Sequence, residues 1–288
     1  MTGWKYGARR SAGLAALALS IGAMHVLPAS AQSSRRLFPD RDLFPMLFAG
    51  PRDPVSKAEL VFVTDNPNAL GNGVEAEVSL GATVPVLLLA GSSRSDALVA
   101  GVEAAVFGRF GFQVTERPLI DTDWTFAAPI VWHLGPHWLR LRYYHTSSHL
   151  GDEYAQRFDV EGVNFSRDAV DAMGWLQPLP AAGVYGGLRY AYSVHPEESR
   201  RWAARAGAQL GSPAGEGFVL PFGSIDVELD QDVDWDPRLT VQAGVWLPPI
   251  SGRRAGRIGA GLLTGPSPLG QFQGFHTTQI MLGISLSL

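Results

Sequence analysis

The stretch QIMLGISLSL, residues 279–288, decides the fold class through its strict alternation. Every second side chain from Ile280 to Leu288 is aliphatic, whereas the side chains between them are small or polar. One uniformly apolar face and one polar face are typical of a transmembrane β-barrel strand, which turns one face to lipid and the other to the lumen. We therefore expect this segment to be the last strand of such a barrel.

The same alternation recurs along the chain and predicts a transmembrane antiparallel β-barrel of about 12 strands. A soluble β-sandwich would alternate too, but long apolar faces and the aliphatic last strand favour the barrel. One insertion, Arg167–Gly183, is predicted as a loop with a short helix over DAVDAMGW. The other candidate strands lie near 58–64, 74–80, 98–112, 123–133, 139–149, 156–166, 188–193, 201–209, 225–230, 239–245 and 254–263.

The N-terminus has the pattern of a secretory signal peptide. Lys5, Arg9 and Arg10 precede the apolar stretch Ser11–Met24, and small residues follow at Ala29–Ala31. The apolar stretch is short for a membrane anchor, which needs roughly 20 apolar residues. The sequence therefore predicts a signal peptide over 1–31, a periplasmic N-terminal segment over 32–56, and an outer-membrane barrel over 57–288.

Composition excludes several classes of protein. The 288 residues carry a net charge of −4 and contain no cysteine, so disulfide frameworks and zinc–thiolate sites are excluded. The acidic balance gives no reason to expect a nucleic-acid partner. The sequence also lacks a G-x-S-x-G elbow, an H-E-x-x-H motif, a P-loop and a dinucleotide fingerprint.

The predicted strand over 139–149 separates arginines from a polar pair. An arginine facing lipid near the bilayer midplane costs about 2–4 kcal/mol, so Arg140 and Arg142 are expected to face the lumen. Arg189 and Arg205 are expected to line the lumen as well. Strict alternation then turns His145 and Ser147 outward, near the end of an ascending fifth strand.

An outward His-x-Ser pair suggests nucleophilic chemistry. Residues i and i+2 share one face of a strand, so the imidazole of His145 can take the proton of the Ser147 hydroxyl. A third polar group must hold such a base in the correct tautomer. On the outside of a barrel, this nucleophile would meet the acyl esters of membrane lipids directly.

His145-Thr146-Ser147 resembles the His-x-Ser motif of two families of barrel enzymes, outer-membrane phospholipase A and the lipid A 3-O-deacylases. The resemblance implies Ser147 as nucleophile, His145 as base, and a polar orienting residue about a dozen positions beyond the serine, which is Asp159 here. Those families follow the serine with Asn-Gly or a similar small pair. This chain has Ser148-His149 instead, which leaves Ser148 open as an alternative nucleophile.

The wider sequence resembles the domain-of-unknown-function 1207 family. That resemblance runs from about residue 37 to the C-terminus and implies a bacterial cell-envelope protein with no established activity. It rests on four stretches, LFPMLFAGPRDP (43–54), YHTSSHLGDEY (144–154), VYGGLRY (184–190) and GQFQGF (270–275).

Two alternatives stay open for the segment that contains His145 and Ser147. Its polar residues can form a rim that caps a hairpin, because Gly, Asp and Ser satisfy backbone groups at strand ends. They can also bind an ion or lipopolysaccharide through His149, Asp152 and Glu153, although the spacing matches no metal signature. The sequence thus predicts an outer-membrane barrel that hydrolyses membrane lipid or lipopolysaccharide esters, with calcium as the one candidate cofactor. The alternative is a non-enzymatic channel or structural barrel.

Overall fold

The computed structural model describes residues 35–91, 95–212, 218–248 and 256–287 of the chain. The predicted signal peptide over 1–31 and the terminal Leu288 lie outside these residues. Within the described ranges, no helix is both long and apolar enough to cross a membrane. Most of the described residues belong to β-strands.

Twelve antiparallel strands close into one barrel, which confirms the predicted fold class. A short strand, β1 (Arg36–Leu37), precedes the barrel among the described residues. The twelve barrel strands are β2 (Ser56–Asp65), β3 (Gly73–Ala90), β4 (Leu98–Gly111), β5 (Leu119–Leu134), β6 (His137–Leu150), β7 (Phe165–Leu179), β8 (Ala182–His195), β9 (Trp202–Leu210), β10 (Leu220–Asp230), β11 (Pro237–Trp246), β12 (Gly256–Pro266) and β13 (His276–Leu286). From β2 to β13 each strand pairs with the next along the chain, and β13 pairs back onto β2. The short β1 pairs with β3.

In the last strand, β13, the alternating residues of the sequence point alternately to the outside and the inside of the barrel. Ile280 and Leu282 are 47% and 48% exposed on the outside of the barrel, whereas Gln279 and Met281 are 2% and 5% exposed inside it. The same pattern of outward apolar side chains follows the other strands. An apolar outer band with a polar interior is the arrangement of a membrane-spanning barrel.

The two ends of the barrel differ. At one end, called here the tight-turn end, two-residue turns join β5 to β6 and β7 to β8. Gly135 in the first of these turns has a φ of 66°, a left-handed conformation that glycine adopts without steric cost. The opposite end, called here the loop end, contains the helix α1 (Asp152–Phe158) and two 3-10 helices, Gln231–Val233 and Gly270–Phe272.

Residues 43–55, called here the inner segment, lie inside the barrel. They belong to the stretch 32–56 that the sequence predicts as a periplasmic segment. Leu43, Phe44 and Leu47 bury their side chains against inward residues of the strands, and Phe48 packs against Phe222 and Trp246. The first group of inward partners is Leu88, Val99, Val131, Trp138, Met173, Trp175 and Tyr185.

Ion pairs fix the far part of the inner segment. Arg205 donates to both carboxylate oxygens of Asp53, at 2.9 and 2.8 Å. Arg52 lies 3.1 Å from Glu77 and 2.9 Å from Asp123. Burial alone would raise the pKa of Asp53, but the charge and hydrogen bonds of Arg205 outweigh burial and lower that pKa to about 2.

Residues 267–275, called here the inward loop, enter the lumen from the loop end. The backbone N–H of Gly270 donates to Asp123 at 3.2 Å, and Gln271 donates to the carbonyl of Ser148 at 2.8 Å. The inward loop meets the inner segment where Arg52 donates to the carbonyl of Pro268 at 3.1 Å. The lumen is therefore occupied from both ends, and a cavity of about 160 Å³ remains between the two segments and the wall.

The predicted helix in the insertion Arg167–Gly183 is wrong. DAVDAMGW belongs to β7, in which Ala169 and Met173 point inward while Val170 and Ala172 point outward. Ala and Met favour helices locally, but pairing with β6 and β8 on either side overrides that weak preference. The helix α1 lies earlier in the chain. It covers the turn before the candidate strand 156–166 and the first residues of that candidate strand.

Candidate functional site

The outward face of β6 carries the His-x-Ser pair. The register between β6 and β5 is uninterrupted from His137 to Leu150, so no bulge changes the parity. Ser148 is 2% exposed inside the barrel, whereas Leu139 and Leu141 are 49% and 52% exposed outside. His145 and Ser147 have the parity of the outward residues, as the sequence predicts.

Asp168 on β7 lies directly opposite His145 in the sheet register. Its Oδ1 is 2.9 Å from His145 Nδ1. The hydroxyl of Tyr143 donates to the same oxygen at 3.1 Å. Because a carboxylate only accepts hydrogen bonds, the neutral imidazole that makes this contact has its proton on Nδ1 and its lone pair on Nε2. This is the arrangement of a general base held by an acidic orienting residue.

Asp159, the orienting residue implied by the family resemblance, is not opposite His145. It caps the C-terminus of α1 in a left-handed conformation, with φ 51° and ψ 49°. Asp159 would lie across from the His-x-Ser pair only if a short hairpin followed Ser147. The connection from β6 to β7 instead contains α1 and the loop up to Phe165. The longer connection moves the residue opposite His145 to Asp168.

Ser147 lies two residues beyond His145 on the same face. Its neighbours across the sheet are Trp124 on β5 and Ser166 on β7. In the described part of the chain, its hydroxyl has no hydrogen-bond partner, so it is free to rotate toward the imidazole. Same-face neighbours on a strand are separated by about 7 Å along the backbone, a span that two side chains can bridge.

The other polar residues of the opening segment have separate positions. Ser148 faces the lumen and donates to Asp121 at 2.9 Å, which separates it from His145 by the thickness of the barrel wall. His149 is exposed near the loop end, and Asp152 and Glu153 are exposed in the first turn of α1. No group of His, Asp and Glu side chains suited to a metal ion occurs among the described residues.

All four arginines expected in the lumen point inward, and each is paired with an acid. Arg140 and Arg142 share Asp171 at 3.3 and 2.6 Å. Arg189 lies 2.8 Å from Asp230. Arg205 bridges Asp226 on β10 and Asp53 of the inner segment, at 2.7 and 2.8 Å. Inside the barrel these pairs connect β6 with β7, β8 with β10 and β9 with β10, and Arg205 also connects the wall to the inner segment.

Aromatic side chains border the outward site. Trp124 and Phe126 flank it on β5, and both are exposed on the outer surface. Tyr143 stacks with Tyr192 of β8 at a ring distance of 6.3 Å. Tyr and Trp concentrate where a barrel meets the membrane–water interface. The polar pair therefore lies among these exposed aromatic side chains, called here the aromatic belt, and close to the loop end.

The chain belongs to the family described as "Protein of unknown function (DUF1207)", whose model matches residues 25–287. This match confirms the family that the four sequence stretches indicated. No curated protein matches the chain.

Solved structures of outer membrane phospholipases share the fold. Outer membrane phospholipase A from Escherichia coli aligns with a TM-score of 0.55 at 11% identity, over 81% of this chain and 92% of that chain. The calcium-bound outer membrane phospholipase dimer from Salmonella typhi aligns with a TM-score of 0.55 at 12% identity, over 85% and 95%. The KdgM porin in complex with disordered oligogalacturonate aligns with a TM-score of 0.46 at 7% identity, over 81% and 99%. The resemblance to phospholipase A is thus confirmed at the level of the fold.

Proposed function

We propose that this member of the DUF1207 family is an outer-membrane hydrolase that cleaves acyl esters of membrane lipids from the outer face of its barrel. The observation that carries the proposal is the hydrogen bond between His145 and Asp168 on the outward surface, two residues along β6 from Ser147. The hydroxyl of Ser147, on the same face of β6, is the group that this imidazole–carboxylate pair would activate. The resemblance in fold to outer membrane phospholipase A is consistent with this activity.

The proposed reaction follows the order of a serine esterase. His145 Nε2 removes the proton of Ser147 as its Oγ attacks the ester carbonyl, and Asp168 stabilises the imidazolium that forms. The imidazolium then protonates the leaving alcohol, and an acyl ester of Ser147 remains. Water, deprotonated by His145, attacks this ester, which releases the fatty acid and restores the serine.

The setting of the site supports a lipid substrate. The aromatic belt around Trp124 and Tyr143 would place the serine near the level of lipid headgroups. In this proposal the signal peptide over 1–31 exports the chain, the tight-turn end faces the periplasm, and the loop end faces outward. The substrate is then phospholipid or lipopolysaccharide of the outer leaflet. Calcium remains a candidate cofactor for the test below.

A channel is the competing function. The charged lumen and its cavity of about 160 Å³ favour it. However, the inner segment and the inward loop occupy the path, so conduction requires one of them to move. Hydrolysis on the outside requires no such movement.

Lipid hydrolysis is tested on the mature protein reconstituted with phospholipid and lipopolysaccharide, with and without calcium. Mass spectrometry of released fatty acid compares the wild type with Ser147→Ala. The matched controls are Ser166→Ala, which removes a neighbouring outward hydroxyl, and Ser148→Ala, which removes the inward alternative. Release that is lost only in Ser147→Ala supports the proposal, whereas release that is lost only in Ser148→Ala identifies the other serine.

A further inference from the structure

Strand β8 carries one extra residue beside the proposed orienting residue. Asp168 of β7 pairs with Ser193 of β8. The next residue of β7, Ala169, pairs with Ala191, so Tyr192 has no partner on this strand. Such a β-bulge leaves one residue of the longer strand unpaired and changes the direction of nearby side chains. Tyr192 is therefore a bulge residue, and it is 49% exposed on the outer surface of the barrel.

Arg201 holds the backbone of this bulge. The register of β8 with β9 runs as far as Tyr190 and Trp202. Beyond it, Arg201 Nη1 donates to the carbonyl of Ala191 at 3.1 Å and to the carbonyl of Tyr192 at 2.6 Å. Hydrogen bonds from a charged donor are stronger than those from a neutral one, so these two bonds fix the position of the bulge.

The ring of Tyr192 contacts Tyr143 of β6, across the outer face of β7. The two ring centroids are 6.3 Å apart and the ring planes differ by 23°, which makes a stacked pair. The hydroxyl of Tyr143 donates to Asp168 Oδ1 at 3.1 Å, and the same oxygen lies 2.9 Å from His145 Nδ1. These contacts form one continuous series from the bulge to the proposed base.

We propose that Tyr192 is a positioning residue of the proposed hydrolase and acts through Tyr143. The inference rests on the proposed function and adds to it a residue that does not touch the substrate. A tyrosine on the outside of a barrel can turn its polar tip toward the headgroup region. Stacking with Tyr192 removes this freedom and keeps the Tyr143 hydroxyl on Asp168, so the carboxylate stays aligned with His145. The alternative is that Tyr192 belongs only to the aromatic belt and stabilises the barrel at the membrane interface.

A double-mutant cycle tests whether Tyr192 acts through Tyr143. Fatty-acid release from micelles of phospholipid or lipopolysaccharide, whichever the wild type hydrolyses, is measured for Tyr192→Ala, Tyr143→Phe and the double variant. Tyr192→Ala should lower kcat about two- to tenfold without a change in KM, the range by which an aromatic pair shifts a conformational equilibrium. In the Tyr143→Phe background the same substitution should have no further effect, because the hydroxyl that it positions is absent. Additive losses in kcat overturn the inference, and so does an unchanged kcat in Tyr192→Ala.

Tyr190→Ala is the matched control for this cycle. Tyr190 is also exposed on the outer face of β8, but its ring packs against Trp202 at 4.9 Å. The variant removes an equal aromatic group from the belt and should keep the wild-type kcat. A loss equal to that of Tyr192→Ala overturns the inference and assigns both tyrosines to the aromatic belt.

A measurement without turnover separates failure of this inference from failure of the hydrolase. The ¹⁵N chemical shifts of the neutral His145 imidazole, recorded at about pH 8, report which ring nitrogen carries the proton. The signals of His145 are those that disappear in His145→Gln. Tyr192→Ala should increase the fraction protonated on Nε2, because Asp168 then holds the Nδ1 proton less firmly, whereas Tyr190→Ala should not. This result would show that Tyr192 positions Asp168 even if the wild type hydrolyses no lipid, and equal fractions in the two variants overturn the inference.

Discussion

The ion pair between Asp53 and Arg205 should keep the inner segment inside the lumen. The pKa of Asp53 falls from 3.8 to about 2 because the charge of Arg205 outweighs the effect of burial. A carboxyl group whose pKa is lower in the folded protein than in the unfolded chain stabilises the fold at every pH above its unfolded pKa. This stabilisation is lost as the pH falls through the folded pKa. A difference of nearly two pKa units corresponds to about 2 kcal/mol. Between pH 4 and pH 2 the inner segment should therefore loosen.

Asp53→Asn removes the same charge at neutral pH. Arg205 keeps its pair with Asp226, so the loss is limited to about 2 kcal/mol, and the population with a displaced inner segment should rise about 30-fold. Conductance across planar bilayers measures this population. The matched control is Asp40→Asn, because Asp40 pairs with Arg36 on the surface and its side chain is 84% exposed.

The wild type should conduct rarely at neutral pH, Asp53→Asn more often, and Asp40→Asn like the wild type. The conductance of the wild type should increase on acidification between pH 4 and pH 2. Equal conductance of Asp53→Asn and the wild type would refute the role of this pair. A rise in both variants would show that the effect is not specific to the lumen.

Two further predictions concern the outward site. Asp168→Ala should lower lipid hydrolysis by at least about 100-fold because the base His145 loses the group that orients it, whereas Asp159→Ala should not change it. Asp168→Asn should retain part of the activity because its amide oxygen still accepts the Nδ1 proton, and a full loss in Asp159→Ala would contradict the assignment. Tyr143→Phe removes one of the two donors to Asp168 and should lower the rate, because the carboxylate that orients His145 is then held less firmly. An unchanged rate in Tyr143→Phe would contradict a role for this hydrogen bond.

The barrel can be predicted from the sequence because every strand of its outer surface meets the same physical requirement. Each strand must present apolar side chains to lipid every second residue, and this regular pattern is visible in QIMLGISLSL without any knowledge of the partners. The parity of His145 and Ser147 follows from the same rule, because Arg140 and Arg142 must face away from lipid. The alternation of apolar and polar residues is therefore sufficient to predict both the barrel and the outward direction of His145 and Ser147.

The contents of the lumen have no such periodic signal. LFPMLFAGPRDP and GQFQGF stand out in the sequence as family stretches, but nothing in their spacing shows that they meet inside the barrel. Their contacts, such as Asp53 with Arg205 and Arg52 with Pro268, join residues far apart in the chain. The residue opposite His145 is Asp168 and not Asp159 for a similar reason. The alternation along β6 does not show that the connection after this strand contains α1. The stretch DAVDAMGW contains residues that favour a helix, but it forms a strand because it pairs with β6 and β8.

The most direct test of the account is fatty-acid release by the mature protein in membranes that contain phospholipid and lipopolysaccharide. We expect the wild type to release fatty acid, Ser147→Ala to release none, and Ser166→Ala to match the wild type, with all three proteins folded. Release that persists in Ser147→Ala, or absence of release from the folded wild type with and without calcium, would contradict the assignment of a lipid hydrolase.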